Sequence, residues 1–243
     1  MDPLTAVAAS GLRSRMESLE MLANNVANAS TGGYKSDREF YSLYVAPESD
    51  SDPTSTMPVI ERPWTDFSQG LLTSTGNALD LALSGKGFFA VNGPGGTLYT
   101  RDGSFRLSKD GQLITAEGYP LRTTDGSALT LPGSGPIQIA ADGTVTQGGA
   151  VAGQLQIADF SSTAGLVKHG SNYFQTADPS VVPSAPQDTS VAQGQLEASN
   201  AGSSESAVRL ISVMRQFEML QKAVSLGAEM NREAVEQVAK VGS

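Results

Sequence analysis

One histidine, a set of Asp-Gly pairs and a few glycine-rich stretches are the residues of this sequence that could do chemistry. None stands in the pattern such chemistry requires. His169, the sole histidine, sits in Val167-Lys168-His169-Gly170-Ser171. A Ser-His-Asp relay needs its nucleophile on a Gly-x-Ser-x-Gly elbow, and no such elbow accompanies it. One imidazole cannot build an HExxH zinc site. The absence of cysteine removes thiolate metal sites, disulfides and thiol nucleophiles. Gly93-Pro94-Gly95-Gly96 and Gly85-Lys86-Gly87 lack the GxxxxGK spacing that cradles a phosphate on backbone amides. Asp102-Gly103, Asp110-Gly111, Asp125-Gly126 and Asp142-Gly143 lack the alternating oxygen ligands and closing Glu of a calcium loop. They read as hairpin turns. Carboxylate pairs for glycoside hydrolysis need not be neighbours in sequence, but most acids of this central region are placed at turns. Trp64, alone in Arg62-Pro63-Trp64-Thr65-Asp66-Phe67, has no second aromatic beside it to form a sugar platform. It is expected to pack the connector onto the head or onto a neighbour. No enzyme activity, cofactor or metal is expected.

Composition narrows the classes further. The 243 residues carry a formal charge of −9, with 16 Lys and Arg spread thinly. A phosphate backbone or an anionic membrane surface needs clustered cations, so neither nucleic acid nor a lipid surface is an expected partner. No stretch approaches the roughly 18 apolar residues of a membrane span. The first residues carry Asp2, Arg13, Arg15, Glu17 and Glu20, which breaks the apolar run a cleaved signal peptide needs. The expectation is a chain that stays in the cytosol or leaves it by a route without a cleaved signal.

Glycine and proline mark out the elements. Eleven of the 12 prolines lie in the middle, with Pro3 the exception. From Glu205 to Val241 there is no proline and a single glycine, Gly227. The two ends can therefore be helical. In the N-terminal segment Ala8, Leu12, Met16, Leu19, Ala23 and Val26 recur at steps of 3 and 4, one helical stripe. Pro3 suits a first turn, and Gly32-Gly33 stops the helix near Asn28. In the C-terminal segment the same steps run Leu210, Val213, Phe217, Leu220, Val224, Gly227, Asn231, Ala234, Val238 and Val241, eight of the ten apolar. That is a heptad seam. Glu205–Arg209, Glu218–Lys222 and Glu236–Lys240 support it at i,i+4, and Ser203 or Ser204 can cap its start. A helix this long with one narrow stripe needs a partner along its whole length. The N-terminal helix is shorter, so part of the seam is left for other chains to cover.

The middle reads as β. Short runs such as Leu79–Leu83, Gly87–Val91, Phe105–Leu107, Gln112–Thr115, Ile137–Ile139 and Leu155–Ile157 lie between the Asp-Gly turns, several alternating so that one face is buried and one is wet. Segment 46–76, rich in Pro, Ser, Thr and Asp, reads as an extended connector, and Asp178–Ser190, with Pro179, Pro183 and Pro186, turns the chain back. The expected fold is α+β: a mainly β, antiparallel, sandwich- or barrel-like central domain, with N- and C-terminal helices that pair as a coiled coil. The expected divisions are an N-terminal helix over 1–30, a connector over 31–78, the β domain over 79–190, a return connector over 191–204 and a C-terminal helix over 205–243.

Several blocks then carry a resemblance. Asn24-Asn25-Val26-Ala27-Asn28-Ala29-Ser30-Thr31-Gly32-Gly33-Tyr34-Lys35 resembles the N-terminal signature of the bacterial flagellar rod and hook family, roughly NNxANxxTxGYK. Gly76 to Val91 is similar to its GNxLDLAIxGxGFFxV stretch, followed by Tyr99-Thr100-Arg101-Asp102-Gly103-Ser104-Phe105, Asp110-Gly111-Gln112-Leu113 and Gly118-Tyr119-Pro120-Leu121. Gly194 to Asn200 and Arg215-Gln216-Phe217-Glu218-Met219 complete the order. Gly32 departs from the family's usual Thr, and Ala201-Gly202-Ser203 from its usual Val-Asn. Length and the Arg-Gln-Phe-Glu-Met block look most like the proximal-rod members, with the distal-rod members close competitors; hook proteins usually have a larger middle.

The resemblance implies a structural subunit of the periplasmic rod, part of the torque-transmitting drive shaft of the flagellar basal body. It implies export, unfolded, through the flagellar export apparatus. Its partners would be copies of itself and other rod and hook-family subunits, with no nucleic acid and no membrane insertion. The expected subunit interface comprises Leu12, Met16, Leu19 and Val26 on the first helix, and Leu210, Val213, Phe217, Leu220, Val224 and Val238 on the last. Asn24, Asn25 and Asn28 join it, either capping the helix end or hydrogen-bonding a neighbour. The alternative reading is a glycan-binding β module whose helices are only a stalk.

Overall fold

The computed structural model describes residues 3–45, 56–170, 172–178 and 181–241, with the backbone alone for 3–10, 40–45, 56–63, 234–235 and 238–241. It forms two compact units: Met1–Ala27, Asp37–Asp66 and Gly202–Ser243 make one, and Asn28–Ser36 with Phe67–Ala201 make the other.

The first unit holds helix α1 (Pro3–Ala27), strands β1 (Asp37–Val45) and β2 (Thr56–Thr65), and helix α2 (Ser203–Val241). The two helices pack on each other, and α1 also touches both strands. Helix α2 begins before the expected cap. Ser206 N–H donates to the Gly202 carbonyl, 2.9 Å, so Ser203 and Ser204 lie inside the first turn and neither is the cap. Glu205 in that turn suits the positive end of the helix dipole. Where composition predicts an extended connector, the chain pairs with itself. The antiparallel β1–β2 hairpin runs from Asp37 opposite Thr65 to Val45 opposite Thr56, with a register shift between Arg38 and Phe40. The aromatic and β-branched residues of both segments favour a pleated pairing over a solvated linker.

The second unit is the β head. Its strands are β3 (Leu72–Ser74), β4 (Leu81–Ser84), β5 (Phe88–Gly93), β6 (Gly96–Thr100), β7 (Arg106–Leu107), β8 (Leu113–Ile114) and β9 (Ile137–Ile139). They continue with β10 (Thr144–Gln147), β11 (Ala150–Gln154), β12 (Ile157–Ala158), β13 (Leu166–His169), β14 (Tyr173–Thr176), β15 (Ser190–Gln193) and β16 (Gln195–Glu197). The main sheet has the order β12-β5-β6-β14-β13, a smaller one β11-β10-β9, and β15-β4, β16-β3 and β7-β8 form pairs. The described strand pairs are antiparallel. The class is thus α+β, a mainly β centre between two terminal helices.

Strand β5 corrects the idea of one wet face. Phe89 and Val91 enter a core with Leu81, Leu83, Leu113, Leu121 and Val145, while Phe88 and Ala90 face a second cluster with Tyr99, Phe160 and Phe174. Both faces are buried because apolar side chains cover the strand from either side. The turns at Gly111, Gly126 and Gly143 take φ of +75, +89 and +84°, as Asp-Gly hairpins require. Asp102-Gly103 is not such a turn. A Cβ on Gly103 would lie 1.6 Å from the Leu81 carbonyl oxygen, so glycine is there for close backbone approach. The stretch expected as a return connector supplies β15 and β16. They pair with β4 and β3, so the head is closed by its own first and last strands.

Candidate assembly surface

The apolar stripe of α1 and its buried face do not coincide. Among the described side chains of α1, Ser14, Ser18, Leu22 and Asn25 are the buried ones, a line out of step with Leu12, Met16, Leu19 and Val26. Small serines let a neighbouring element approach closely, and the Ser18 hydroxyl donates back to the Ser14 carbonyl at 3.1 Å, so its burial leaves it satisfied. Met16 stays 52% exposed, and Leu12, Leu19 and Val26 are only half-buried.

On α2, Leu210, Val213, Phe217, Leu220 and Val224 form the least exposed line and are each half-buried. From Ser225 to Glu233 every residue is exposed, Gly227 and Asn231 among them, and the Val238 side chain lies outside the described residues. A second apolar line runs along the helix. Val208, Met219 and Leu226 are 69, 62 and 59% exposed, with Ile211 and Met230 beside them at 53 and 63%. At about 100° per residue, the nine-residue separations Val208–Phe217, Leu210–Met219 and Phe217–Leu226 put this line on the face opposite the seam. The signal was available as a second run of 3- and 4-residue steps, but Arg215 and Lys222 interrupt it. Exposed ion pairs Arg13–Glu17 and Arg232–Glu236, both 3.2 Å, flank the apolar faces.

The asparagines divide. Asn25 is buried, and its amide is used within the chain: Nδ2 donates to the Asp37 carbonyl at 2.8 Å and Oδ1 accepts from Asp37 N–H at 3.0 Å. The Asn28 carbonyl accepts from Thr31 N–H and its Oδ1 from Thr31 Oγ1, which folds the chain out of helix in a turn. Asn24 is exposed. Trp64, also exposed, has the Arg38 guanidinium 6.0 Å from its ring, while Arg38 pairs with Asp66 at 2.7 Å.

Inside the head, one constellation escaped the sequence reading. Lys35, Arg101 and Glu197 come from three separate family-like blocks and meet with side chains 0, 4 and 0% exposed. Lys35 Nζ lies 2.6 Å from one Glu197 oxygen and Arg101 Nη1 3.1 Å from the other. Gly70 N–H also donates to Glu197, Lys35 to the Ser68 carbonyl and Arg101 to the Gly85 carbonyl. Burial pulls the Arg101 guanidinium below its usual range, and the Glu197 and Asp159 carboxylates pull it back. Nearby, burial pushes Asp102 above the usual aspartate range against hydrogen bonds from Ser104 and Asn172. No group of three or more acidic or imidazole side chains able to hold a metal occurs among the described residues. Exposed His169 ends β13, in the hairpin with β14.

The head thus keeps ionic groups inside, while α2 keeps large apolar side chains outside. Comparison with known proteins gives the family. The family profile described as "Flagella basal body rod protein" matches residues 6–35. "Flagellar hook protein FlgE/F/G D1 domain" matches 82–147, and "Flagellar basal body rod FlgEFG protein C-terminal" matches 192–237. The flagellar basal-body rod protein FlgF of Caulobacter vibrioides is 33% identical over 245 residues, 99% of this chain and 100% of its own length. The flagellar basal-body rod protein FlgG of Agrobacterium fabrum is 33% identical over 255 residues, covering 93% and 95%. FlgF of Rhizobium meliloti is 32% identical over 215 residues, covering 87% and 88%. The chain belongs to the flagellar basal-body rod protein family.

Proposed function

We propose that the chain is a structural, non-catalytic subunit of the rod, built into the basal body by packing its terminal helices against copies of itself and other rod and hook-family subunits. The observation that carries this reading is the exposed line Val208, Ile211, Met219, Leu226 and Met230 opposite a half-buried seam. A helix with large apolar side chains exposed on one face, opposite a face already partly covered, marks a surface for partners. In the assembly the α1 stripe at Leu12, Met16, Leu19 and Val26, and the seam with Val238, continue as coiled-coil packing. The head then packs as a small antiparallel sandwich around its two apolar clusters. Many shallow contacts repeated along an axis suit a shaft that transmits torque. The chain passes the export apparatus unfolded. No described helix is long and apolar enough to cross a membrane. Among rod positions we place it in the proximal rod, on the end-to-end match with a FlgF of nearly equal length.

The test is deletion of the gene in the source organism, scoring motility and imaging basal bodies. Truncated rods and loss of swimming are expected, restored by the intact gene. Complete rods and normal swimming would refute the proposal.

A further inference from the structure

Residues 28–36 are the one part of the head supplied from a distant stretch of chain. They lie on it as a strap. Gly33 N–H donates to the Glu197 carbonyl at 2.7 Å, Asn200 N–H to the Tyr34 carbonyl at 3.2 Å and Ser36 N–H to Asn200 Oδ1 at 2.7 Å. From the other side Lys168 Nζ donates to the Lys35 carbonyl at 2.7 Å and stands 4.6 Å from the centre of the Tyr34 ring. Gly33 has φ +66°, and a Cβ there would lie 2.3 Å from the Arg101 carbonyl carbon and the Asp102 nitrogen, so the strap is flush against the backbone beneath it.

The charges under the strap are arranged unequally. Arg101 and Glu197 both belong to the continuous part of the head, and they balance each other. Lys35 is the added cation, brought in by the strap. We propose that the strap is a latch. It docks onto, and can lift from, a head that is already folded and charge-balanced, with Lys35 as its bolt and Glu197 as the keeper. Lifting returns Lys35 to water and leaves the Arg101–Glu197 pair intact, so opening costs the head no stranded charge. Both covalent links of the strap lead out of the head, to α1 on one side and to β1 on the other. The latch therefore decides whether those elements start from a fixed point or from a loose loop. It is a local opening of the kind that hydrogen exchange resolves from global unfolding.

The experiment is native-state hydrogen exchange on the full-length monomer, which stands or falls independently of the rod assignment. The amides of Gly33 and Asn200 report the strap, and those of Val91 and Leu121 report the core. In the wild type the strap pair is expected to exchange together and roughly 10-fold or more faster than the core pair. Lys35→Met should speed the strap amides by about a further 10-fold and leave the core unchanged. Glu197→Gln removes the carboxylate that both cations share and should speed strap and core together. Strap amides that exchange at the core rate in the wild type would overturn the latch. So would a Lys35→Met protein in which core and strap accelerate equally. If Glu197→Gln does not fold, the Lys35→Met comparison still decides.

Discussion

At the scale of single residues, buried charged groups that share partners tie the parts of the head together. Glu197→Gln leaves Lys35 and Arg101 at 0 and 4% exposure without their shared carboxylate, and the head should lose about 3–5 kcal/mol in chemical denaturation. Gly33→Ala should cost about 2–4 kcal/mol, since the φ of +66° and the backbone 2.3 Å away both oppose a Cβ; proteolysis within 28–36 that spares the head would report it. Asp102 supplies the pH dependence. Its folded pKa is raised above the ordinary 3.8 because burial outweighs the bonds from Ser104 and Asn172. The native head therefore holds this proton more tightly than the unfolded chain. The corresponding stability is full below 3.8 and is lost as pH rises through the raised value. Mild acidification from neutral should thus stabilise the head. The gain should end where Asp125 and Asp142 are protonated, whose hydrogen bonds, chiefly from Thr123 and from Thr144, hold them below the ordinary value. Asp102→Asn should abolish the acid gain in unfolding titrations at stepped pH. None of this chemistry was legible in the sequence. Lys35, Arg101 and Glu197 stood in recognisable blocks, but no local pattern pairs charges that lie up to 162 positions apart.

At the scale of elements, periodicity located both helices and Asp-Gly pairs located the turns at 111, 126 and 143, because these are local signals. What required the tertiary structure was which helical face is covered. On α1 the serine line is buried rather than the apolar stripe, because closeness of approach and not hydropathy selects that face. Likewise the β1–β2 hairpin was hidden, since proline and serine in its surroundings mimic a linker. Gly227 sits in α2 with open space around its Cα hydrogen and nothing within 4 Å. Gly227→Ala should raise the thermal stability of the helix by about 0.5–1 kcal/mol, read by circular dichroism of the monomer.

At the scale of the whole molecule, the acidic charge of −9 and the absence of cysteine exclude classes without choosing one, and the ordered family-like blocks pointed to the family. Structure adds where the apolar surface of α2 lies. Under the proposed function this surface is covered by other subunits, and that coverage is what builds the rod. It is tested most directly in cells whose only copy of the protein carries Met219→Glu with Leu226→Glu. Both residues are exposed, 62 and 59%, so the monomer should fold and accumulate as the wild type does. Electron microscopy of basal bodies from these cells should show rods that stop short. Full-length rods containing the doubly substituted protein would contradict the claim.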